Sequence, residues 1–307
     1  MYNVSSLTLF QFYLEKSELY REVAKDLISI WRDAYIICNT EECVTKKIQA
    51  KIIPLLKPGK PADQGTSYRP VSILPPPIKI LESLLLPIVN DSVQLEEHQH
   101  GFRKGRSTTT ALHSIHDHIT TGPNRKQPVH RTVSVAIDLS CAFDTVDHNL
   151  LLQDIYELNL NSHIKRFLCA YLRGRQTFVE FRGVKSKYRK VKQGVPQGGV
   201  LSPTLFNLYM SKMPSPSEGI KLVSYADDSN VLKSGTNIES LCQDINQYLN
   251  TLDEWFISRN LFISPAKSTA TLFTTSKYEL NLELPVEIND VRVPTVKQPK
   301  FLGVTYD

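Results

Sequence analysis

The order of apolar and polar residues along the chain predicts a mixture of helices and strands. Residues 17–37 and residues 238–255 both carry apolar side chains at helical spacing. The segments "PPPIKILESLLLPIV" (75–89) and "HNLLLQDIYELNL" (148–160) predict two further helices, the first of them opened by prolines. Because helices and strands do not alternate as regular βαβ units, the pattern favours an α+β fold.

Several shorter segments predict strands. "KIQAKIIPLL" (47–56) precedes a Pro-Gly turn, "TVSVAIDL" (132–139) is rich in β-branched residues, and "QTFVEF" (176–181) predicts a hairpin that turns near Gly183. In the tail, Leu280, Leu282 and Leu284 alternate as in a strand, and a turn is expected at Asn289–Asp290.

The segment "LVSYADDSNVL" (222–232) predicts a β-hairpin whose tip carries two adjacent acids, Asp227 and Asp228. Acids in turns are ordinarily solvated, and that interpretation stays open for this segment alone. Asp138 ends another strand, where a buried carboxylate needs a cation or hydrogen-bond donors. If that strand lies beside the hairpin, the three carboxylates converge and form an oxygen-only site suited to two Mg²⁺ ions.

Charge and composition narrow the choice of partners and compartment. The chain has 307 residues, 41% of them apolar, and a formal net charge of +5. Residues 165–192 hold ten Lys and Arg residues against one acid, Glu180, which indicates either a polyanion partner or a solvated surface. Five scattered cysteines without CxxC spacing, and the lack of a signal peptide or an apolar span, predict a soluble intracellular protein.

Seven sequence blocks, in the same order along the chain, resemble those of reverse transcriptases, and their residues are most similar to those of non-LTR (LINE-like, jockey-like) retrotransposons. "AIDLSCAFDTVDH", "QGVPQGGVLSPTLFNLYM" and "YADD" resemble motifs A, B and C. "YRPVSILPPPIKILESLL" and "HQHGFRKGRSTTTAL" lie upstream of them, and "LFISPAKS" and "FLGV" downstream resemble motifs D and E. The resemblance covers about residues 51–304.

The resemblance implies a role for each matching residue. Asp138, Asp227 and Asp228 would bind the metal ions, and Lys267 would protonate the leaving pyrophosphate. The nucleotide would be held by the residues that match the family's finger, sugar-contacting and glycine-rich positions, which are Lys57, Arg69, Phe143 and Gln197. The template and primer would contact the residues of the basic loop and of motif E, which are Arg103, Arg106, Phe301, Leu302 and Gly303.

The resemblance also implies an organisation and a function. A right-hand polymerase fold is expected, with an N-terminal helical extension (1–46), fingers (47–132), and a palm (133–307) whose antiparallel sheet carries the YADD hairpin. The thumb is expected to be absent or truncated. The implied function is RNA-directed DNA synthesis in retrotransposon replication, with two Mg²⁺ ions or with Mn²⁺ in their place.

The partners implied are an RNA template encoded by the element, a DNA primer and dNTPs, without a membrane; the oligomeric state is open. Two alternatives also remain. A truncated relic of the fold would bind nucleic acid without polymerising, whereas a domesticated or intron-encoded enzyme would carry further RNA-binding domains.

Overall fold

The computed structural model describes residues 48–121 and 130–306, so the helix predicted at 17–37 lies outside the described residues. The described residues form two compact units. Unit 1 contains residues 48–92, 155–192 and 197–201, and unit 2 contains residues 93–121, 130–154, 193–196 and 202–306. The names fingers and palm, with the boundaries expected from the sequence, remain predictions.

Unit 1 is built on a sheet of five strands. The strands are β1 (Gln49–Leu56), β2 (Tyr68–Ile73), β4 (Gln176–Phe181), β5 (Val184–Lys185) and β6 (Arg189–Lys190). β1 lies between β2, to which it is antiparallel, and β4, to which it is parallel. β5 and β6 both pair with β4 in antiparallel orientation.

Two helices of unit 1 follow from local sequence signals. α1 (Pro76–Ser92) begins within the proline run. Proline is tolerated in the first turn because its fixed φ suits a helix and the N–H that it lacks has no partner within the helix there. The helix buries Leu81 and Val89. α5 (Ser162–Arg173) begins after Asn161, whose side chain accepts a hydrogen bond from the His163 N–H. Its buried face includes Phe167 and Tyr171.

Unit 2 is built on a four-stranded antiparallel sheet in the order β7-β8-β3-β9. These strands are β3 (Arg131–Ile137), β7 (Ile220–Tyr225), β8 (Asp228–Gly235) and β9 (Thr269–Phe273). Two short hairpins follow, formed by β10 (Glu287–Ile288) with β11 (Val291–Arg292), and by β12 (Lys300–Phe301) with β13 (Val304–Thr305).

Unit 2 also contains several helices. They are α2 (Thr108–Thr121), α3 (Ala142–Thr145), α6 (Ser202–Met210) and α7 (Ile238–Ser258), and α4 (His148–Glu157) begins in unit 2 and ends in unit 1. α2 contacts β7 and β8, whereas α7 contacts β8, β3 and β10. Both helices bury an apolar stripe at helical spacing, as in Leu241, Ile245 and Leu249 of α7.

Most elements predicted from periodicity are confirmed, including the YADD hairpin, the strand before Asp138 and the hairpin at Asn289–Asp290. The strand predicted over Leu280–Leu284 is wrong. Residues 277–281 form turns instead, and only Leu284 of the three leucines is buried. In the described part of the chain, no helix is long and apolar enough to cross a membrane.

Candidate active site

The YADD hairpin places two acids at the tip of the central sheet of unit 2. β7 ends at Tyr225, which pairs with Asp228, the first residue of β8, so that Ala226 and Asp227 form the turn. Ala226 has a φ of 57°, in the left-handed region that is uncommon for a residue with a side chain. The two carboxylates therefore depend on a turn that its surroundings must hold in place.

A buried glutamine holds this turn. The Oε1 atom of Gln99 accepts hydrogen bonds from the N–H of Ala226 (3.1 Å) and from the N–H of Gly101 (2.8 Å). A Cβ atom added at Gly101 would lie 2.4 Å from the Ala226 nitrogen, so the approach of this segment to the turn requires glycine. The sequence pattern did not identify Gln99 as a site residue, although it lies two residues before Gly101 in "HQHGF".

Asp138 lies beside the hairpin, which is the condition that a shared acidic site requires. β3 pairs with β8 so that Ile137 faces Ser229, and the next step of this antiparallel register sets Asp138 against Asp228. The backbone N–H of Asp138 donates to Ser268 Oγ (3.1 Å), and its carbonyl accepts from the Ser264 N–H (2.8 Å). Its backbone is therefore fixed on the side away from β8 by the segment that precedes β9.

The three aspartates interact electrostatically. Burial raises the pKa of Asp228 to about 6, and the charges of Asp227 and Asp138 add to that shift. The pKa of Asp227 is also raised, first by burial and then by the charge of Asp138. Such mutual repulsion is expected where carboxylates share a site that a cation would neutralise.

One pocket of about 270 Å³ brings five of the predicted site residues together. Asp138 and Asp228 line it with Lys267, Phe301 and Leu302. The Nζ atom of Lys267 lies 3.7 Å from Oδ1 of Asp138, and the lysine side chain is 66% exposed. The pocket therefore joins acidic groups to a lysine that solvent can reach.

The motif E residues differ in their surroundings. Phe301 is buried in a core cluster with Ile115 and Val223. Leu302 and Gly303 form the two-residue turn between β12 and β13, both with positive φ. A direct contact of the primer with this hairpin would therefore be made by the turn rather than by the Phe301 ring.

Phe143 lies on α3 and stacks on Phe206 of α6, with ring centroids 4.3 Å apart and an interplanar angle of 13°. The Phe143 carbonyl accepts a hydrogen bond from the Val195 N–H (2.8 Å). A Cβ atom added at Gly194 would lie 2.7 Å from the Asp144 carbonyl oxygen, and Gly194 has a φ of 83°. These contacts fix the start of the glycine-rich loop against the turn that carries Phe143.

Arg103 and Arg106 both pair with Glu97, a residue that the sequence pattern did not identify. Arg103 Nη2 lies 3.1 Å from Glu97 Oε1, and Arg106 binds the other carboxylate oxygen. The charges of Arg106 and Arg103 lower the pKa of Glu97. A phosphate contact by either arginine would therefore compete with, or be shared with, an exposed carboxylate.

Lys57, Arg69 and Gln197 belong to unit 1, whereas the three aspartates belong to unit 2. Lys57 directly follows β1 and donates through Nζ to the Thr66 carbonyl (3.1 Å). Arg69 is exposed on β2, and the carbonyl of Gln197 accepts from the Ser72 N–H (2.7 Å). This hydrogen bond attaches Gln197 to β2 at Ser72, three residues after Arg69 on the same strand.

A fully buried carboxylate lies in unit 1. Glu82 of α1 is fully buried, and its Oε1 atom accepts from the Tyr171 hydroxyl (2.7 Å) and from the Leu201 N–H (3.2 Å). Burial lowers the pKa of nearby Arg175, and Tyr171 and Glu82 oppose that shift. Glu82 therefore links α1 to α5 and to the end of the loop that carries Gln197. An acid inside the apolar run "KILESLLL" was the available signal.

The geometry of the aspartates bears on metal binding. Across residues 48–121 and 130–306, no group of three or more His, Cys, Asp or Glu side chains is arranged to hold a metal ion. Mg²⁺ is usually bound through one or two carboxylates together with water and substrate phosphates. The carboxylates of Asp138 and Asp228 at the pocket fit that type of binding by their chemistry, whereas a closed protein cage is not formed.

Comparison with known families and sequences gives a consistent result. A family model described as reverse transcriptase (RNA-dependent DNA polymerase) matches residues 55–306. The probable RNA-directed DNA polymerase from transposon BS of Drosophila melanogaster is 32% identical over 84% of this chain. The RNA-directed DNA polymerase from mobile element jockey of Drosophila funebris is 31% identical over 84%. The chain spans 29% of the length of each of these two relatives.

Solved structures support the fold. Telomerase from Candida tropicalis in complex with a fragment of telomeric RNA superposes with a TM-score of 0.53 at 14% identity, covering 82% of this chain and 45% of that one. An apo form truncated from the C-terminal domain gives a TM-score of 0.51 at 13% identity, covering 76% and 51%. At these identities the likeness concerns the fold alone.

Proposed function

The chain belongs to the reverse transcriptase (RNA-dependent DNA polymerase) family, and we propose on this basis that it extends a DNA primer along an RNA template. The reaction is nucleotidyl transfer, in which the primer 3′-hydroxyl attacks the α-phosphate of a dNTP and pyrophosphate leaves. Because the chain spans under a third of its relatives' length, the proposal concerns the polymerase chemistry of this segment within retrotransposon replication.

The observation that carries the proposal is the facing of Asp138 and Asp228 on adjacent strands at one pocket. Like charges held close together at a strand end and a hairpin tip repel one another unless a cation lies between them. Reverse transcriptases use divalent metal ions, and we propose Mg²⁺ here, held by Asp138, Asp227 and Asp228. Bound there, it would lower the pKa of the attacking hydroxyl and neutralise charge on the phosphates.

The remaining pocket residues have roles in the same proposal. Lys267, exposed and 3.7 Å from Asp138, donates a proton to the leaving pyrophosphate. Phe143 contacts the sugar of the incoming nucleotide and excludes a 2′-hydroxyl. Its stacking on Phe206 limits how far the ring can move away from that hydroxyl. The turn at Leu302 and Gly303 positions the primer end, and buried Phe301 supports it.

The unit 1 residues bind the triphosphate in this proposal. The Arg69 guanidinium suits a bidentate phosphate contact, and Lys57 supplies a point charge. Gln197 contacts the nucleotide from the glycine-rich loop. Arg103 and Arg106 contact phosphates of the RNA template, which is the element's own RNA, and exchange their Glu97 partner for the phosphate.

Primer extension on poly(rA)/oligo(dT) with dTTP and Mg²⁺ tests the proposal, with Asp227→Asn as the comparison and Lys277→Gln as a control on an exposed lysine. Extension by the wild-type chain and the control, lost in Asp227→Asn, is the expected result. If no chain extends the primer while a gel shift detects binding of poly(rA)/oligo(dT), the proposed activity is wrong and the chain is a nucleic-acid-binding relic.

A further inference from the structure

The edge of the unit 1 sheet carries an exposed basic surface, which we call the β5–β6 edge and define as residues 182–192. β5 and β6 pair one after the other with the same edge of β4. Six basic residues fall within these positions without an acid, namely Arg182, Lys185, Lys187, Arg189, Lys190 and Lys192. Residues 182–190 are all exposed. The surface therefore presents concentrated positive charge to solvent.

The one acid on this part of the sheet is already neutralised. Glu180 of β4 lies 2.9 Å from Lys51 Nζ and 3.8 Å from Lys185 Nζ. In the described part of the chain, Lys187, Arg189 and Lys190 have no carboxylate within ion-pair distance. Their charges are thus available to a partner outside the chain.

Exposed aromatic and apolar side chains accompany the charges. Tyr188 is 51% exposed and packs edge-on against Phe178, with centroids 5.0 Å apart. Phe181 is partly exposed beneath the Arg182 guanidinium at 5.2 Å, and the Lys185 ammonium lies 5.9 Å from the Phe178 ring centroid. Flat rings interleaved with cations can take up unpaired bases between phosphate contacts.

Lysines on an edge strand commonly serve only to prevent pairing with another sheet. Two observations go beyond that role. Val184 is 72% exposed and Tyr188 51%, whereas a protected edge would avoid such apolar side chains. The pairing also shifts by one position between Glu180↔Lys185 and Thr177↔Arg189, so that an extra residue is inserted near Tyr188. A bulge of this kind redirects a side chain away from the regular sheet.

We propose that the β5–β6 edge binds a single-stranded segment of the template RNA through its phosphates and unpaired bases. Positive charge selects a polyanion, and the exposed rings favour a single strand because a duplex covers its base faces. The assignment to RNA rests on the proposed function, in which RNA is the template strand. The residues of this surface belong to unit 1, whereas Asp138 and Asp228 of the pocket belong to unit 2.

Equilibrium binding of labelled oligo(rU), of about 16 nucleotides, tests this without primer, dNTP or metal. The charge variant is Lys187→Gln/Arg189→Gln/Lys190→Gln, and its matched control is Lys277→Gln/Arg292→Gln/Lys297→Gln, which removes the same charge at exposed sites of unit 2. Loss of three single-strand phosphate contacts should reduce the slope of log K against log salt by about 2 and the affinity at 0.1 M salt by about 100-fold. The control should bind within about twofold of wild type.

Two variants test the aromatic contribution. Tyr188→Leu keeps an apolar contact with Phe178 but cannot stack on a base, and it should weaken oligo(rU) binding about tenfold. Tyr188→Phe should restore it. Equal binding by the charge variant and its control, or stronger binding of an rA/rU duplex that Tyr188→Leu leaves unchanged, would overturn the proposal.

The template is distinguished from the primer by cross-linking. A template RNA carrying 4-thiouridine beyond the primer end should cross-link to the peptide that contains Tyr188, whereas 4-thiothymidine in the DNA primer should not. Cross-links from the primer alone would overturn the assignment. These binding and cross-linking measurements need no catalysis. If the chain gives the expected binding and cross-links but does not extend a primer, only the proposed polymerase activity is refuted. If it extends a primer but does not give them, only the proposed RNA binding by the β5–β6 edge is refuted.

Discussion

Replacing Gln99 by leucine should loosen the turn that carries the two hairpin acids. The substitution nearly preserves side-chain length but removes Oε1, the acceptor of the Ala226 and Gly101 N–H groups. Gln99 is 4% exposed, so water cannot easily replace it. The left-handed conformation of Ala226 would then lose one of the contacts that maintain it.

The magnitude follows from the two donors left unpaired. A buried polar group without its partner costs about 1–3 kcal/mol, so two of them should lower the free energy of unfolding by about 2–6 kcal/mol. That is a large fraction of the roughly 5–15 kcal/mol typical of a native protein. Catalysis should fall through kcat more than through KM, because the turn positions carboxylates rather than binding the nucleotide base.

Urea unfolding at pH 7 measures the stability loss, and primer extension under conditions where the variant remains folded measures kcat. Gln94→Leu is the matched control, since Gln94 is exposed and the same substitution there should change stability by at most about 0.5 kcal/mol. If Gln99→Leu unfolds at the same urea concentration as Gln94→Leu, the turn does not depend on this glutamine and the reasoning fails.

Three further predictions concern stability and selectivity. Glu279 accepts hydrogen bonds from Arg131, and these bonds lower the pKa of its carboxyl group. The stability that this pair contributes is therefore present above pH 4.5, the ordinary pKa, and disappears as the pH falls through the lowered pKa. Glu279→Gln should therefore destabilise the protein more at pH 7 than at pH 3 in urea unfolding, and equal losses at both pH values would contradict this. Glu82→Ala leaves the Tyr171 hydroxyl and the Leu201 N–H without their acceptor and should lower the free energy of unfolding by about 2–6 kcal/mol in the same assay. Glu82→Gln should lower it by less than half as much, and equal losses for the two variants would refute a role for Oε1. Phe143→Ala should raise UTP insertion relative to dTTP by at least about tenfold in single-nucleotide assays, and an unchanged ratio would exclude a role in sugar selection.

The sequence predicted those features that depend on local pattern. Among the described residues, the helices and strands predicted from strong periodicity were correct apart from the Leu280–Leu284 strand, and the adjacency of Asp138 and Asp228 followed from placing one predicted strand beside the hairpin. The Leu280–Leu284 alternation misled because local hydrogen bonds compete with strand pairing. Thr274 donates to the Glu279 carboxylate, and the Leu282 N–H donates to the Glu279 carbonyl, which holds a turn there.

Contacts between distant positions could not be predicted in this way. Gln99 binds a backbone N–H that lies 127 positions away, and Glu82 binds one that lies 119 positions away. A backbone donor leaves no mark in the sequence, so neither partner could be identified from residue type. The pairing of Arg103 and Arg106 with Glu97 was equally hidden, because a loop of mixed charges permits many pairings.

The most direct test of the account is the rate of a single dTTP addition to poly(rA)/oligo(dT) at saturating Mg²⁺, compared between the wild-type chain and Asp138→Asn. Asp138→Asn keeps the side-chain volume and leaves the backbone hydrogen bonds to Ser264 and Ser268 possible, so the fold should persist. The account predicts a rate loss of at least about 100-fold with unchanged poly(rA)/oligo(dT) affinity. Addition at nearly the wild-type rate would contradict the claim that the carboxylates at this pocket carry the chemistry.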